Sequence, residues 1–201
     1  MYMEKQTEDT IDKDGYLHSG DVAEFDDCTK VGVNGPSGFM RITGRIKELI
    51  ITAGGENIPP VLIENEMKSA MVAISNVMVI GDKRKYLSML VSLKSEIDLE
   101  TMVPTDKLAA DSLFVGSQIG SSAKTVSEAA KDPLWAKYIT DGMKTANSKT
   151  TSNAQIVQKW RLLPVDFCEK NGELTPTLKL KRNVVAEKQA ALIDSIYADD
   201  E

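Results

Sequence analysis

Three short stretches of this sequence hold side chains and turns suited to chemistry. The first is Tyr16-Leu17-His18-Ser19-Gly20-Asp21. A carboxylate held on a glycine turn can accept two hydrogen bonds from a vicinal diol such as a ribose, and charge-assisted bonds of this kind outweigh neutral ones. By itself, Ser-Gly-Asp also reads as an ordinary turn. The second stretch is Gly44-Arg45-Ile46-Lys47-Glu48 followed by Thr52-Ala53-Gly54-Gly55-Glu56-Asn57. Glycines after a strand let backbone N–H groups approach a phosphate or an extended chain. A structural turn fits the same residues, and no GxxxxGK[ST] phosphate loop occurs anywhere in the sequence. The third is Gly172-Glu173-Leu174-Thr175-Pro176-Thr177-Leu178-Lys179-Leu180-Lys181-Arg182. Alternation after the proline predicts Lys179 and Lys181 on one side of an extended segment and the leucines on the other. Such lysines suit an anionic transition state, although a basic surface at a helix start is the plainer reading.

Positioning these groups calls for a frame. Residues 14–43 are punctuated by Gly15, Gly20, Gly32, Gly35, Pro36 and Gly38, which predicts brief strands and tight turns, with Asp14-Gly15 and Asn34-Gly35 as turns. This stretch buries little on its own and reads as the edge of something larger. Glu48–Thr52 reads as a buried strand stopped by Ala53-Gly54-Gly55. Pro59 and Pro60 then open a helix, where a missing N–H costs nothing, with Leu62, Ile63, Glu66 and Met67 at helical spacing. Ile74–Ile80 and Tyr86–Leu93 read as strands of a hairpin with the charged tip Gly81-Asp82-Lys83-Arg84. Residues 105–150 read as mostly helical, with Pro133 in the first turn of a helix carrying Leu134, Trp135, Tyr138 and Ile139. Gln158–Leu163 is a further strand. Lys181–Tyr197 forms a final helix on Val184, Val185, Lys188, Ala191, Leu192 and Ile196.

Composition narrows the field further. At 201 residues, 42% hydrophobic and 27% charged, the chain fits one globular domain plus a smaller piece. Nine acids and two bases fall in residues 1–29, so the net charge of −6 is concentrated there as a solvated surface. No basic stripe with interleaved aromatics exists, which argues against nucleic acid. No apolar run approaches the roughly 20 residues of a membrane helix. The polar start MYMEKQTEDT is neither a secretory signal nor a transit peptide. Cys28 and Cys168 read as free thiols of a reducing compartment, and one histidine, His18, leaves little for zinc or a histidine-based nucleophile.

Taken in order, the three stretches resemble the closing motifs of the adenylate-forming superfamily, from about Asp14 to the end of the chain. GRIKELIITAGGENIPP at residues 44–60, Ile63-Glu64, and Asn76–Leu93 as NVMVIGDKRKYLSMLVSL are similar to the bubblegum branch of long-chain fatty acyl-CoA synthetases. So are TVSEAA at 125–130, VQKW at 157–160 and GELTPTLKLKR at 172–182.

The resemblance implies an α+β fold. A small mixed-sheet C-terminal domain, residues 47–201, would be mobile about a hinge near Lys47, preceded over residues 1–46 by the β-rich end of a large AMP-binding domain. It also implies a fragment of an ATP-dependent, AMP-forming ligase, inactive alone, whose partners are a missing N-terminal domain of the same polypeptide, a fatty acid, ATP and CoA, with Mg2+ in the full enzyme. By position in the motifs, Asp21 would bind the ribose hydroxyls, Arg45 the ribose and phosphate side, and Gly54, Gly55 and Glu56 would form the loop used in thioester formation. Lys179 would contact the reacting carboxylate and α-phosphate. Leu178 stands where the common superfamily pattern has glycine, so Lys181 is the alternative lysine. The setting implied is cytoplasmic, with membrane association of the full-length enzyme left open. Other readings are a luciferase-like or carrier-loading adenylating enzyme and a non-catalytic interaction module.

Overall fold

The computed structural model describes residues 10–25 and 40–198. Cys28 and the expected Asn34-Gly35 turn, with Gly32, Pro36 and Gly38, lie outside the described residues. The chain divides into two compact units, Met1–Leu49 with Pro59–Leu62, and Ile50–Ile58 with Ile63–Glu201.

In the first unit β1 (Asp21–Phe25) pairs antiparallel with β2 (Met40–Arg45), Asp21 standing opposite Arg45. The expected turn at Asp14-Gly15 is present. The Asp12 carboxylate accepts the N–H groups of Asp14 and Tyr16 at 3.0 and 2.9 Å, and Gly15 supplies a φ of +86°. His18 Nε2 sits 3.0 Å from the same carboxylate, so the lone histidine belongs to this turn. On β2, Thr43 is buried and its hydroxyl donates to the Val22 carbonyl at 3.2 Å, whereas Met40 and Ile42 are 60% and 59% exposed. Two strands with a bare apolar face are marginal in water.

The second unit is built on a three-stranded mixed sheet in the order β5 (Ile74–Ile80), β6 (Leu87–Leu93), β9 (Val157–Leu162). β5 and β6 form the expected antiparallel hairpin, and β9 joins parallel to β6. Every residue of the central strand is buried, which matches its nearly unbroken apolar sequence. Side-chain alternation splits the core. Val77, Val79, Met89 and Val91 meet one cluster, with Ile63, Met67, Trp135, Ile139 and Met143; Met78 and Leu90 meet the other, with Phe167, Val185, Ile193 and Ile196. The first cluster is covered by α1 (Pro60–Ala70), α2 (Ala110–Gln118), α3 (Val126–Ala129) and α4 (Pro133–Asn147). α5 (Arg182–Lys188) and α6 (Ala190–Ala198) cover the second.

Local signals account for the helix starts. Asp132 caps α4 by accepting the Leu134 N–H at 2.9 Å, Pro133 follows at the first turn, and Trp135, Ile139 and Met143 repeat at four-residue steps on the buried side. Thr125 and Glu128 form a capping box on α3.

Four expectations are corrected. Instead of a strand over Glu48–Thr52, a 3₁₀ turn occupies Ile46–Glu48 and only β3 (Ile50–Ile51) is extended, paired with β4 (Asn57–Ile58). The glycine stop leaves room for just two ladder residues on each side. Of the helical stripe on α1, Ile63 and Met67 are buried, whereas Glu66 is half-buried and pairs with Lys149 at 2.7 Å. The stretch expected to be mostly helical opens as β8 (Pro104–Leu108), paired with β7 (Ser95–Ile97). The final helix is two helices, because Gln189 leaves helical geometry at φ −101°, ψ 17°.

Candidate functional site

Gly20, at φ +77°, turns the chain so that the Asp21 N–H is taken by Ser19 Oγ at 3.2 Å and the Gly20 carbonyl accepts the Ile46 N–H at 2.8 Å. The β1–β2 ladder then sets Asp21 Oδ1 3.4 Å from Arg45 Nε. Two candidate residues far apart in sequence are thus brought together. With Arg45 59% exposed, such a pair is worth less than about 1 kcal/mol. Lys47 lies exposed in the 3₁₀ turn that follows.

Gly54, Gly55 and Glu56 form the exposed tip of the β3–β4 hairpin, and Gly55 has a φ of +80°. The loop's amides are largely spent. Ala53 N–H donates to the Arg84 carbonyl at 3.2 Å, Gly55 N–H to the Thr52 carbonyl at 2.9 Å and Glu56 N–H to Thr52 Oγ1 at 3.2 Å. A phosphate cradle needs free amides. This loop instead offers bare backbone, the surface against which an extended chain can lie.

Lys179 stands near the tip of a small hairpin. An isolated bridge joins Leu174 and Leu180. Thr175 N–H donates to the Lys179 carbonyl at 2.8 Å, and Lys179 N–H donates to Thr175 Oγ1 at 3.0 Å. The base is clamped on both strands. Buried Glu173 accepts the Cys168 N–H at 3.3 Å and lies 3.5 Å from Lys188 Nζ. Arg182 makes a two-pronged pair with Glu64 of α1, at 2.7 and 2.6 Å, while Glu64 Oε1 also accepts the Val79 N–H at 2.8 Å. Both lysines are exposed, and among the described residues Lys179 pairs with no carboxylate. Lys181 sits at the helix start, its N–H fixed to the Glu173 carbonyl at 2.8 Å. The hairpin shares no hydrogen bond with the glycine loop among the described residues.

The expected alternation holds only in part. Leu180 packs against the second cluster, but Leu178 is 72% exposed, because the tip turns at that residue with a φ of +59°. This is the left-handed region, and it lies where the superfamily pattern has glycine. Relief of the left-handed strain is worth about 1–2 kcal/mol, against about 0.4–1 kcal/mol for glycine's extra freedom in the unfolded chain. Leu178→Gly is therefore expected to stabilise the chain by up to about 1.5 kcal/mol. Urea unfolding reads this directly, and a lowered midpoint would contradict the strain.

The Glu64–Arg182 pair has only a faint signal in sequence, a carboxylate beside Ile63 on the side of α1 that turns inward. Burial raises the pKa of the Tyr197 phenol, and likewise that of Tyr138, above the ordinary value. No group of three or more His, Cys, Asp and Glu side chains able to hold a metal occurs among the described residues, and no described helix is long and apolar enough to cross a membrane.

The family described as AMP-binding enzyme C-terminal domain matches residues 47–113. Across 99% of its length the chain is 48% identical to the long-chain-fatty-acid–CoA ligase ACSBG2 of Xenopus laevis and 44% identical to the long-chain-fatty-acid–CoA ligase ACSBG1 of Rattus norvegicus. It spans only 26% and 27% of those two relatives. Among solved structures, the adenylation domain of a carboxylate reductase from Mycobacterium chelonae superposes with a TM-score of 0.67 at 22% identity, over 98% of this chain and 25% of that one. The corresponding domain from Segniliparus rugosus gives 0.65 at 17% identity, over 98% of this chain and 25% of that one. At such identities the likeness is one of fold, and it agrees with the expected α+β architecture.

Proposed function

We propose that this chain, whose residues 47–113 match the AMP-binding enzyme C-terminal domain family, is the carboxy-terminal part of a long-chain-fatty-acid–CoA ligase. The observation that carries the reading is the exposed ammonium of Lys179, unpaired among the described residues, on a hairpin clamped at both strands.

In the first half-reaction a fatty acid carboxylate oxygen attacks the α-phosphorus of ATP, diphosphate leaves and an acyl-adenylate forms. Lys179 stabilises the charge that builds on the carboxylate and phosphoryl oxygens, where a fixed cation acts most strongly because it needs no reorganisation. Asp21 accepts hydrogen bonds from the ribose hydroxyls, and Arg45 holds the ribose and phosphate side. In the second half-reaction the CoA thiolate attacks the acyl carbon and AMP leaves. The bare backbone at Gly54 and Gly55, with Glu56 beside it, lines the path of the thiol arm. A rotation at Lys47 would bring Lys179 in for the first step and the glycine loop in for the second.

The phosphate loop, the acyl pocket and the adenine contacts would come from a larger lobe of the same polypeptide. That lobe would also cover the bare Met40 and Ile42 face of β2. Mg2+ would accompany ATP in the full enzyme. A cytoplasmic setting, where thiols stay reduced, fits the free, buried Cys168.

The test is direct. A full-length protein containing this chain should convert ATP, CoA and a long-chain fatty acid to acyl-CoA, AMP and diphosphate, whereas the 201-residue chain alone should give no turnover. Acyl-CoA formation by the short chain, or none by the full-length protein, would overturn the reading.

A further inference from the structure

Beyond the bonds of its own hairpin, the glycine loop is tied to the β5–β6 turn. Besides the Ala53 bond to the Arg84 carbonyl, Lys83 N–H donates to the Ile51 carbonyl at 2.8 Å and Ile51 N–H reaches Asp82 Oδ1 at 3.3 Å. The two-residue strand β3, paired on one side with β4, is therefore tied on the other to the β5–β6 turn. That turn is itself bent at Lys83, whose φ is +55°. A non-glycine residue stays in such a conformation only where its surroundings fix it.

The residues flanking Lys83 are held by α6. The Arg84 guanidinium lies 4.7 Å over the Tyr197 ring and 2.7 Å from Asp194. The Tyr197 ring packs on Tyr86 at 4.9 Å. Its hydroxyl lies 2.8 Å from Ser88 Oγ and donates to the Tyr86 carbonyl at 3.2 Å, with the Ile80 carbonyl at 3.4 Å. Tyr86 returns a bond from its own hydroxyl to the Ile196 carbonyl at 3.1 Å. Tyr197 thus touches both ends of the turn, at Ile80 and at Tyr86, and the cation between them. The Arg84–Asp194 pair is exposed and contributes little. The half-buried tyrosine, with its ring contacts and shared hydroxyl, carries the attachment.

We propose that Tyr197, acting through Arg84 and the β5–β6 turn, is a positioning residue for the Gly54–Gly55 loop, so that the last helix governs thioester formation rather than adenylation. Lys179 is held by a separate clamp, Glu64–Arg182, on α1 and β5. The two half-reactions are then separable by changes remote from the reacting atoms. The chemical half of this inference rests on the ligase reading, and its geometric half does not.

The experiment uses Tyr197→Ala and Tyr197→Phe in the full-length protein, with two readouts. Hydrogen exchange over Thr52–Glu56 reports on the clamp without any catalysis. Exchange at the Ala53 amide should quicken in Tyr197→Ala and less so in Tyr197→Phe, which keeps the ring and loses the hydroxyl bonds. Acyl transfer to CoA from supplied acyl-adenylate should fall by up to about 100-fold, the cost of a misplaced group in a reacting geometry, while ATP–diphosphate exchange is unchanged. Unaltered exchange at Ala53 in both variants overturns the clamp, whatever the activity. Equal loss of both half-reactions overturns the division between them, leaving only a structural role. A wild-type protein with neither half-reaction sinks the ligase reading, and the exchange data then decide the clamp alone.

Discussion

Replacing Lys179 by alanine in the full-length protein is expected to slow acyl-adenylate formation by about 10²–10³-fold, the loss of about 2.7–4 kcal/mol typical of one preorganised group that meets developing charge. Transfer of a supplied acyl group from adenylate to CoA should survive. The asymmetry follows from what the ammonium meets. In adenylation, negative charge redistributes over the carboxylate, the phosphoryl oxygens and the departing diphosphate, so a fixed cation gains in the transition state over the ground state. In thioester formation the thiolate and the acyl carbon are the reacting centres, and the proposed rotation at Lys47 would have withdrawn the same cation. ATP–diphosphate exchange measures the first step, and acyl transfer from adenylate measures the second.

Lys181→Ala serves as the control. Its main chain begins α5, and its N–H is bound to the Glu173 carbonyl at 2.8 Å, so its side chain leaves from the base of the hairpin and not from the tip. Loss of adenylation in Lys181→Ala with normal rates in Lys179→Ala would move the role by two residues. Lys179→Arg should recover only part of the rate, because a planar fork does not reproduce a compact point charge.

Local pattern made much of the frame legible. The near-continuous apolar runs at Ile74–Ile80 and Leu87–Leu93 identify the hairpin, and the Asp132-Pro133 pair marks the start of α4. What escaped was pairing over distance. Nothing in Val157–Leu162 says that it joins β6 in parallel, and nothing at Arg182 announces a partner 118 residues earlier. Periodicity reports which face of an element is buried, not which element covers it. The short strands β7 and β8 escaped for another reason, since Thr105, Asp106 and Lys107 carry no apolar alternation and take their geometry from the pairing itself. The candidate site divides in the same way. Asp21, Arg45, the glycine loop and the lysines were visible as motifs, whereas the clamps that hold them were not.

Glu64→Ala tests the deeper of those clamps and is expected to destabilise the chain by about 3–5 kcal/mol, the cost of leaving a buried charge without its partner. The side chains of Arg182 and Glu64 are 17% and 9% exposed, and the change removes both prongs of the pair together with the acceptor of the Val79 N–H. Against a total stability of about 5–15 kcal/mol for a domain, that is a large share. Distance alone would not predict it. Lys149 and Glu66, also on α1, meet at a comparable 2.7 Å with side chains 55% and 47% exposed, and such a pair is worth less than about 1 kcal/mol. Urea unfolding of Glu64→Ala beside Glu66→Ala separates burial from geometry, and equal midpoints would remove the buried pair from any role in the fold. Replacing Glu64 and Arg182 together by leucine should recover part of the loss, since no lone charge remains, though the Val79 amide stays unpaired. The double variant is the more telling for function. With the fold restored but the tie between α1 and the lysine hairpin gone, adenylation in the full-length protein should stay slow.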